Sequence, residues 1–215
     1  MTKDMDRHKQ SVPLPSEGHR ERKKTRTREQ LTEAAVRLFA ERGFEQTKVD
    51  DIVAAADVVP RTFFRYFACK DDALFSWYDL PRDATVAALR SRPRGEGVVT
   101  ALIAALDESV RASDAQRVIR LTGQVVAKSP ELRGRLDAVR ATHRDDIANA
   151  LAHRLPASAA LVALMITAAV VTAYAATVDE WVAGGARGPL SDCTAPAMKL
   201  ALKIFSAVNT QYVLR

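Results

Sequence analysis

The chain has 215 residues, of which 47% are hydrophobic and 6% aromatic, and it carries a formal net charge of +6 at pH 7. This length and apolar content exclude a largely disordered chain, because they allow a substantial core to be buried. The abundance of alanine and the scarcity of aromatic residues favour packed helices, so we expect an all-α fold of about nine helices.

The sequence contains no pattern that indicates catalysis or a bound cofactor. Cys69 and Cys193 match no disulfide or metal-ligand spacing, which favours a reducing compartment. A Gly-rich phosphate loop, a nucleophile elbow and a dinucleotide fingerprint are all missing from the sequence. The N-terminus carries no apolar segment of the signal-peptide type. We therefore expect a cytoplasmic protein that is not an enzyme and needs no cofactor or metal.

The first residues are polar and then strongly basic. Residues 1–19 include Pro13 and Pro15 and show no periodicity, so we expect a disordered arm. The stretch 19–28 then holds six Arg or Lys side chains against one acid. A solvated tail is one interpretation, but the stretch leads directly into a helix, which favours contact of Arg26 and Arg28 with nucleic acid.

Three short helices are predicted between residues 20 and 69. Thr27 to Gln30 fits a capping box that starts the first helix, and Gly43 suits its left-handed end. The second helix is expected to begin near Thr47 and Lys48, with Thr47 and Asp50 as a possible capping box. The predicted core of the unit comprises Leu31, Ala35, Leu38, Phe39, Phe44, Ile52, Val53, Val58, Phe63 and Phe67.

The third predicted helix has a face that the core cannot absorb. Pro60 suits its first position, and Phe63 and Phe67 share the face that turns toward the core. The other side chains include two Arg, one Thr and two aromatic rings, and a helix this short cannot bury them all. A helix-turn-helix laid into the major groove of DNA gives this face a partner.

The stretch FAERGFEQTKVDDIVAAADVVPRTFFRYFACKDDAL resembles the N-terminal DNA-binding domain of the TetR family of bacterial regulators, over roughly residues 26–74. The resemblance implies that Phe63 and Phe67 pack inward and that Tyr66 and Lys70 bind phosphate. It also implies that four side chains of the helix face the DNA groove: Arg61, Thr62, Phe64 and Arg65. With the basic run, the predicted DNA-binding residues are Arg26, Arg28, Thr47, Lys48, Arg61, Thr62, Phe64, Arg65, Tyr66 and Lys70.

Three positions depart from the family pattern. Lys48 stands where a second Thr is usual, and Val59 and Cys69 stand where Ser is usual. The last two lose a hydroxyl that could cap a helix or bind phosphate. We therefore expect the phosphate contacts to depend more on lysines and on the basic run.

The remaining residues, 70–215, are expected to form a ligand-binding and dimerisation bundle. Ser129 and Pro130 give a clear helix start. The predicted helices are 70–91 with a bend at Leu80–Pro81, 96–112, 114–128, 130–155, 158–184 and 194–213.

The last two helices are unusually apolar. Residues 157–178 carry no charged side chain, a length that could cross a membrane. A helix buried in a bundle has the same composition, and no basic residue flanks the C-terminal end of this one. We expect no membrane span, and instead a homodimer through the two C-terminal helices.

The resemblance also implies a small-molecule effector bound among the central helices, which are largely apolar there. A hydrophobic or acyl-type effector is the hypothesis, since the R-T-F-F-R-Y-F type also resembles a subgroup linked to acyl-CoA-like ligands. The predicted pocket residues are Leu102, Ile103, Leu106, Arg117, Leu121, Gln124, Val125, His143, Met165 and Tyr174. The sequence thus predicts a ligand-responsive repressor on a palindromic operator, with a constitutive DNA-binding protein as the alternative.

Overall fold

The structure of the protein is a computed structural model that describes residues 17–111 and 113–214. These residues form eleven α-helices and two short 3-10 helices, and no β-strand occurs among them. The α-helices are α1 Glu17–Arg42, α2 Val49–Ala55, α3 Pro60–Tyr66, α4 Lys70–Phe75, α5 Asp79–Ser91, α6 Val98–Ser109, α7 Ser113–Val126, α8 Pro130–Ala152, α9 Ala160–Ala183, α10 Leu190–Ile204 and α11 Ser206–Gln211. The predicted all-α fold is confirmed.

The number of helices exceeds the expected nine because two predicted helices are divided. The predicted helix 70–91 is interrupted by the 3-10 helix Ser76–Tyr78, and the predicted last helix starts earlier and is divided at Phe205. Pro81 does not cause the first break. It lies in the first turn of α5, where the backbone N–H groups have no partner within the helix.

The start of α1 differs from the prediction. The helix begins at Glu17, so Thr27 lies inside it and donates its hydroxyl to the Lys23 carbonyl at 2.9 Å. The predicted capping box at Thr27 is therefore wrong, and residues 17–19 belong to a helix. The rest of the predicted arm, residues 1–16, lies outside the described residues.

The N-terminal core is the cluster of buried side chains beneath α1, α2, α3 and α4. Leu31, Phe39, Ile52 and Phe63 are essentially inaccessible to solvent, as predicted. Gly43 ends α1 with a φ of +93°, which confirms the predicted left-handed position. Buried residues of α7 and α8 complete this core: Val125, Val126, Leu132 and Leu136. The N-terminal core thus extends past the predicted domain boundary at residue 70, and that boundary stays a prediction.

The bundle core fills the space between α5, α6, α8, α9 and α10. Ser129 starts α8 as predicted, with its hydroxyl accepting from the Leu132 N–H at 3.3 Å. Asn209 of α11 accepts the N–H groups of Val99 and Thr100 at 2.9 and 3.1 Å, and so caps the start of α6. The C-terminal segment is therefore fastened to the bundle.

Candidate nucleic-acid interface and ligand cavity

Helix α3 separates its side chains into a buried side and an exposed side. Phe63 and Phe67 lie in the N-terminal core, 0% and 3% exposed. Their neighbour Phe64 is 58% exposed, and Arg61 and Arg65 are exposed on the same helix. A large aromatic ring held in water beside two cations leaves apolar area unburied, so this side of the helix suits contact with another molecule.

Two half-buried residues, Thr62 and Tyr66, complete the exposed side of α3. The Arg65 guanidinium donates to the Tyr66 hydroxyl at 3.2 Å and lies 4.9 Å from the centre of its ring. The helix begins at Pro60, and Val59 before it provides no side-chain cap. The departure from Ser noted in the sequence therefore leaves the start of α3 without a hydroxyl, as expected.

The start of α2 is capped one residue later than predicted. The Lys48 backbone N–H donates to the Asp51 carboxylate at 2.8 Å, whereas the prediction paired Thr47 with Asp50. Thr47 is only 1% exposed, and its hydroxyl donates to the Gly43 carbonyl at 2.8 Å. The predicted phosphate contact of Thr47 is therefore corrected to a structural role, while Lys48 is exposed.

Lys70 also has a role that the sequence did not predict. Its ammonium donates to the Phe44 carbonyl at 2.7 Å and lies 4.2 Å from the centre of the Phe44 ring. The Thr47 carbonyl at 3.5 Å and the Glu45 carboxylate at 3.9 Å surround the same charge. In this structure Lys70 fastens α4 to the turn between α1 and α2, and its predicted phosphate contact stays a prediction.

The basic run is helical where the structure describes it. Arg26 is exposed, but the Arg28 guanidinium donates to Asp79 Oδ2 at 2.6 Å and so connects α1 to α5. Arg28 thus has a partner within the chain, and its predicted contact with nucleic acid stays a prediction. Because the run continues α1, it presents its charges along a helix and not along an extended arm.

A cavity of about 410 Å³ lies in the bundle. Three of the predicted pocket residues line it: Leu106, His143 and Tyr174. Further apolar side chains in its wall come from five different segments: Trp77, Val110, Ile119, Ile147, Val171 and Val178. Its wall is thus mostly apolar and is built from residues that are distant in sequence.

The other predicted pocket residues lie elsewhere. Leu102 and Ile103 are in the bundle core, and Leu121 and Val125 pack on the N-terminal core, because α7 turns that side toward α1. The remaining three are not in the cavity wall either: Arg117, which pairs with Glu33 at 2.6 Å, Gln124, which is half-buried, and Met165, which is 63% exposed. Helical periodicity identified apolar faces but not the neighbour that each face meets.

Sequence reasoning missed the ion pair of the cavity wall, Arg140 and Asp179. Arg140 donates two hydrogen bonds to the Asp179 carboxylate, at 2.7 and 2.6 Å, and this pair joins α8 to α9. Burial raises the pKa of Tyr78, and the neighbouring Arg140 opposes that shift. Neither Arg140 nor Asp179 belongs to a motif, so only the packing of α8 on α9 reveals them.

His143 and Asp79 meet at the polar side of the cavity. The mostly buried His143 ring has its Nε2 3.4 Å from Asp79 Oδ1. The hydrogen bond from His143 holds the pKa of Asp79 below its usual value; partial burial opposes this shift, and Arg28 adds to it. An ionised Asp79 can only accept hydrogen bonds, so the His143 proton lies on Nε2 when this contact forms.

Tyr174 places a buried hydroxyl in the cavity wall. Burial raises the pKa of Tyr174, with the charge of Asp107 as a further cause. Thr194 lies close enough to oppose the shift, yet no described residue completes a hydrogen bond to the Tyr174 hydroxyl. The cavity therefore contains a polar group that a ligand could reach only after a small rearrangement.

The long apolar stretch Ala157–Ala183, which contains an 18-residue window with a mean hydropathy of 2.1, has the length and composition of a membrane span. The core helix of a bundle meets the same criteria, and α9 does pack between α8 and α10.

Within residues 17–111 and 113–214, no three His, Cys, Asp or Glu side chains are grouped as a metal site.

The fold and the exposed side of α3 define a helix-turn-helix protein with a helical C-terminal bundle. Residues 31–75 match the family model described as bacterial regulatory proteins, tetR family, and residues 92–205 match the model of the MftR C-terminal domain. The second match covers more than half of the chain. The chain belongs to the TetR family of bacterial regulatory proteins.

Individual relatives agree with this assignment. Over 85 residues, the chain is 44% identical to the HTH-type transcriptional regulator TcmR of Streptomyces glaucescens, an alignment that spans 40% of this chain and only 38% of TcmR. The fatty acid degradation regulator FadR from Bacillus halodurans has the same fold, with a TM-score of 0.60, 19% identity, and coverage of 82% and 94% of the two chains. The SmeT–triclosan complex gives a TM-score of 0.58 at 18% identity, with 87% and 92% covered.

Proposed function

We propose that this protein is a ligand-responsive transcriptional repressor that binds a palindromic DNA operator as a homodimer and releases it when a small hydrophobic effector binds. The observation that carries the proposal is the exposed side of α3, with Phe64 between Arg61 and Arg65, while Phe63 and Phe67 of the same segment are buried in the N-terminal core. The TetR family assignment supports a regulatory role, and we propose the cytoplasm as its location.

The exposed side of α3 suits the major groove of DNA. Arginine pairs with the acceptor edge of guanine through two hydrogen bonds, and apolar groups contact the thymine methyl group. Arg61, Arg65 and Thr62 are the proposed base-reading residues, with Phe64 as the apolar contact. Tyr66 of α3 and the exposed Lys48 before α2 are the proposed phosphate contacts, which set position and not sequence.

The DNA-binding proposal is tested with the full chain and duplexes enriched from a random-sequence pool, followed by gel-shift measurement. We expect the double variant Thr62→Ala, Arg65→Ala to lose about 30-fold or more in affinity for the enriched site, since it removes two base contacts that contribute about 1–3 kcal/mol each. Arg94→Ala, an exposed residue in the turn before α6, is the matched control. Unchanged affinity and sequence preference in the double variant would refute the assignment of this surface.

The homodimer is proposed through α9 and α10. These two helices pack against each other and expose large apolar side chains: Leu161, Leu164, Met165, Leu200 and Ile204. Monomeric proteins rarely expose so many neighbouring apolar residues. A symmetric dimer would present two copies of α3 to one side of DNA at roughly 34–36 Å, which predicts a palindromic site.

The effector is proposed to occupy the cavity of about 410 Å³, whose wall is mostly apolar with charged groups at one side. FadR is named as a regulator of fatty acid degradation, and SmeT was solved with triclosan, so two proteins of this fold support a hydrophobic ligand. An acyl compound is the preferred class, because its polar end could meet His143, Arg140 or Arg144 while its chain lies against Trp77.

Palmitoyl-CoA and triclosan are suitable probes for the effector proposal. We expect at least one of them to raise the melting temperature and to release the enriched DNA, and Ala175→Leu, which narrows the cavity, to weaken both responses. If neither probe nor a wider panel of hydrophobic metabolites shifts the melting temperature while DNA binding is tight, the constitutive DNA-binding alternative is supported instead.

A further inference from the structure

A chain of three side chains connects the cavity to the DNA-binding unit. His143 stands in the cavity wall, with its Nε2 3.4 Å from Asp79 Oδ1. The other carboxylate oxygen, Asp79 Oδ2, accepts a hydrogen bond from the Arg28 guanidinium at 2.6 Å. Arg28 belongs to α1, the helix that carries the basic run and much of the N-terminal core.

Asp79 is well placed for this contact because of the break before α5. The 3-10 helix Ser76–Tyr78 separates α4 from α5, so the first residue of α5 faces both α1 and α8. The third cation near Asp79 is Arg82, at 3.9 Å, and it has closer partners in Asp83 and Asp146, each at 2.9 Å. Arg28 and His143 are therefore the main partners of the carboxylate.

We propose that Asp79 transmits occupancy of the cavity to α1, because a ligand that takes the His143 hydrogen bond removes one of the two groups that hold the Asp79–Arg28 ion pair in place. This inference rests on the proposed function, since it requires both DNA binding and a ligand in the cavity. A ligand of the required chemistry carries a carbonyl or carboxylate oxygen, which accepts from His143 Nε2, on an apolar body that fits the cavity wall.

His143 and Arg28 share the Asp79 carboxylate as a partner. The hydrogen bond from His143 and the pair with Arg28 both favour an ionised, fixed Asp79, and both contribute to the lowered pKa of this carboxyl. When one partner is withdrawn, the carboxylate is free to reorient, and the angle between α1 and α5 loses a constraint. Coupling between sites is reciprocal, so DNA binding to α1–α3 changes the binding free energy of the ligand in the cavity by the same amount.

The link can be tested without knowing the ligand. His143→Phe keeps the ring volume but removes the hydrogen-bond donor at the cavity. We expect this variant to bind the enriched DNA at least about fivefold more weakly, the lower end of typical coupling between sites, although α8 lies outside the proposed DNA interface. In a chain that already carries Asp79→Asn, the same substitution should have no further effect on DNA affinity.

The matched control is Thr142→Ala, which alters an exposed neighbour on α8 whose hydroxyl donates to the Ala138 carbonyl of its own helix. This variant should bind DNA like the unaltered chain. If His143→Phe also binds like the unaltered chain, or if its effect is the same with and without Asp79→Asn, the proposed transmission through Asp79 is overturned.

A DNA-independent measurement separates this inference from the proposed function. In the unaltered background, we expect the double variant Arg28→Gln, His143→Phe to lose less melting temperature than the sum of the losses in the two single variants. In a chain that carries Asp79→Asn, the loss in the double variant should equal that sum. If the two single losses of melting temperature add up to the double-variant loss in both backgrounds, the link through Asp79 is refuted. A failure to enrich any DNA would instead refute the proposed function, while this cycle still decides whether Asp79 joins the two residues.

Discussion

The N-terminal core and the bundle core are built from different side chains. In the first, aromatic rings pack directly on one another, with the Phe63 and Phe67 ring centres 5.3 Å apart. In the second, the residues at 0% exposure are all aliphatic, such as Leu102, Ala163 and Val170, and the same bundle contains a cavity of about 410 Å³. Small side chains let helices approach closely without filling every space between them.

This difference has a mechanical consequence. A core of aromatic rings in direct contact resists deformation, because a shift forces side chains off their rotamers. A cavity lined by several helices can change shape when it is filled, and the helices around it then move relative to one another. Helix α7 takes part in both regions, since Ile119 lines the cavity while Val125 is buried in the N-terminal core. The contrast predicts a stiff DNA-binding unit and a bundle that deforms on ligand binding.

The largest expected effect separates two neighbouring phenylalanines of α3. Phe63→Ala should cost about 3–5 kcal/mol of unfolding free energy, because it leaves a void in the N-terminal core. Phe64→Ala should change stability by less than about 0.5 kcal/mol, since its ring is mostly in solvent, but it should weaken DNA binding. Urea unfolding and gel-shift assays measure the two quantities. Equal stability losses would contradict the assignment of a buried and an exposed side.

The next effect concerns the apolar surface of α9 and α10. Leu161→Arg places a charge on the proposed dimer interface, where burial without a partner is unfavourable. We expect sedimentation velocity to show a dimer for the unaltered chain and a monomer for this variant at micromolar concentration. Ser91→Arg, on an exposed position of α5, should leave the dimer intact. A monomeric unaltered chain would contradict the proposed interface.

The sequence predicted the N-terminal unit well and the cavity poorly, for a physical reason. Which side of α3 is buried follows from spacing within a few residues, so Phe63, Phe67 and Gly43 could be assigned from local patterns. The cavity depends on which helices meet, and this is set by long-range packing. Trp77 and Arg140 therefore escaped notice, while Leu102 was assigned to a wall that it does not line.

Within the N-terminal unit, two cations that the resemblance places at DNA have partners inside the chain that the sequence did not predict. Lys70 was expected at a phosphate, but the Phe44 carbonyl lies within 2.7 Å of its ammonium. Arg28 was likewise expected at DNA, but Asp79 is closer at hand. A motif identifies a cation and its approximate position. It does not reveal which oxygen within the chain competes for that cation.

A comparison of two lysines tests this interpretation. Lys70→Met keeps most of the aliphatic stem but removes the charge, so we expect a stability loss of about 1–3 kcal/mol and little change in the salt dependence of DNA binding. Lys48→Met removes an exposed cation and should reduce the salt slope by about one unit with little change in stability. If Lys70→Met instead reduces the salt slope like Lys48→Met, Lys70 turns to phosphate in the complex.

The smallest expected effect is the pH dependence of stability that comes from Asp79, which lies between the N-terminal core and the bundle core. Because the pKa of the folded Asp79 is below its usual value, this carboxylate stabilises the fold above the unfolded-state pKa of about 3.9. That contribution disappears as the pH falls through the folded-state pKa. Asp79→Asn should therefore be less stable than the unaltered chain at pH 7, with a difference that shrinks below about pH 4. Urea unfolding measured from pH 7 to pH 3 tests this, and a difference that grows as the pH falls would mean that Arg28 and His143 do not hold the ionised form.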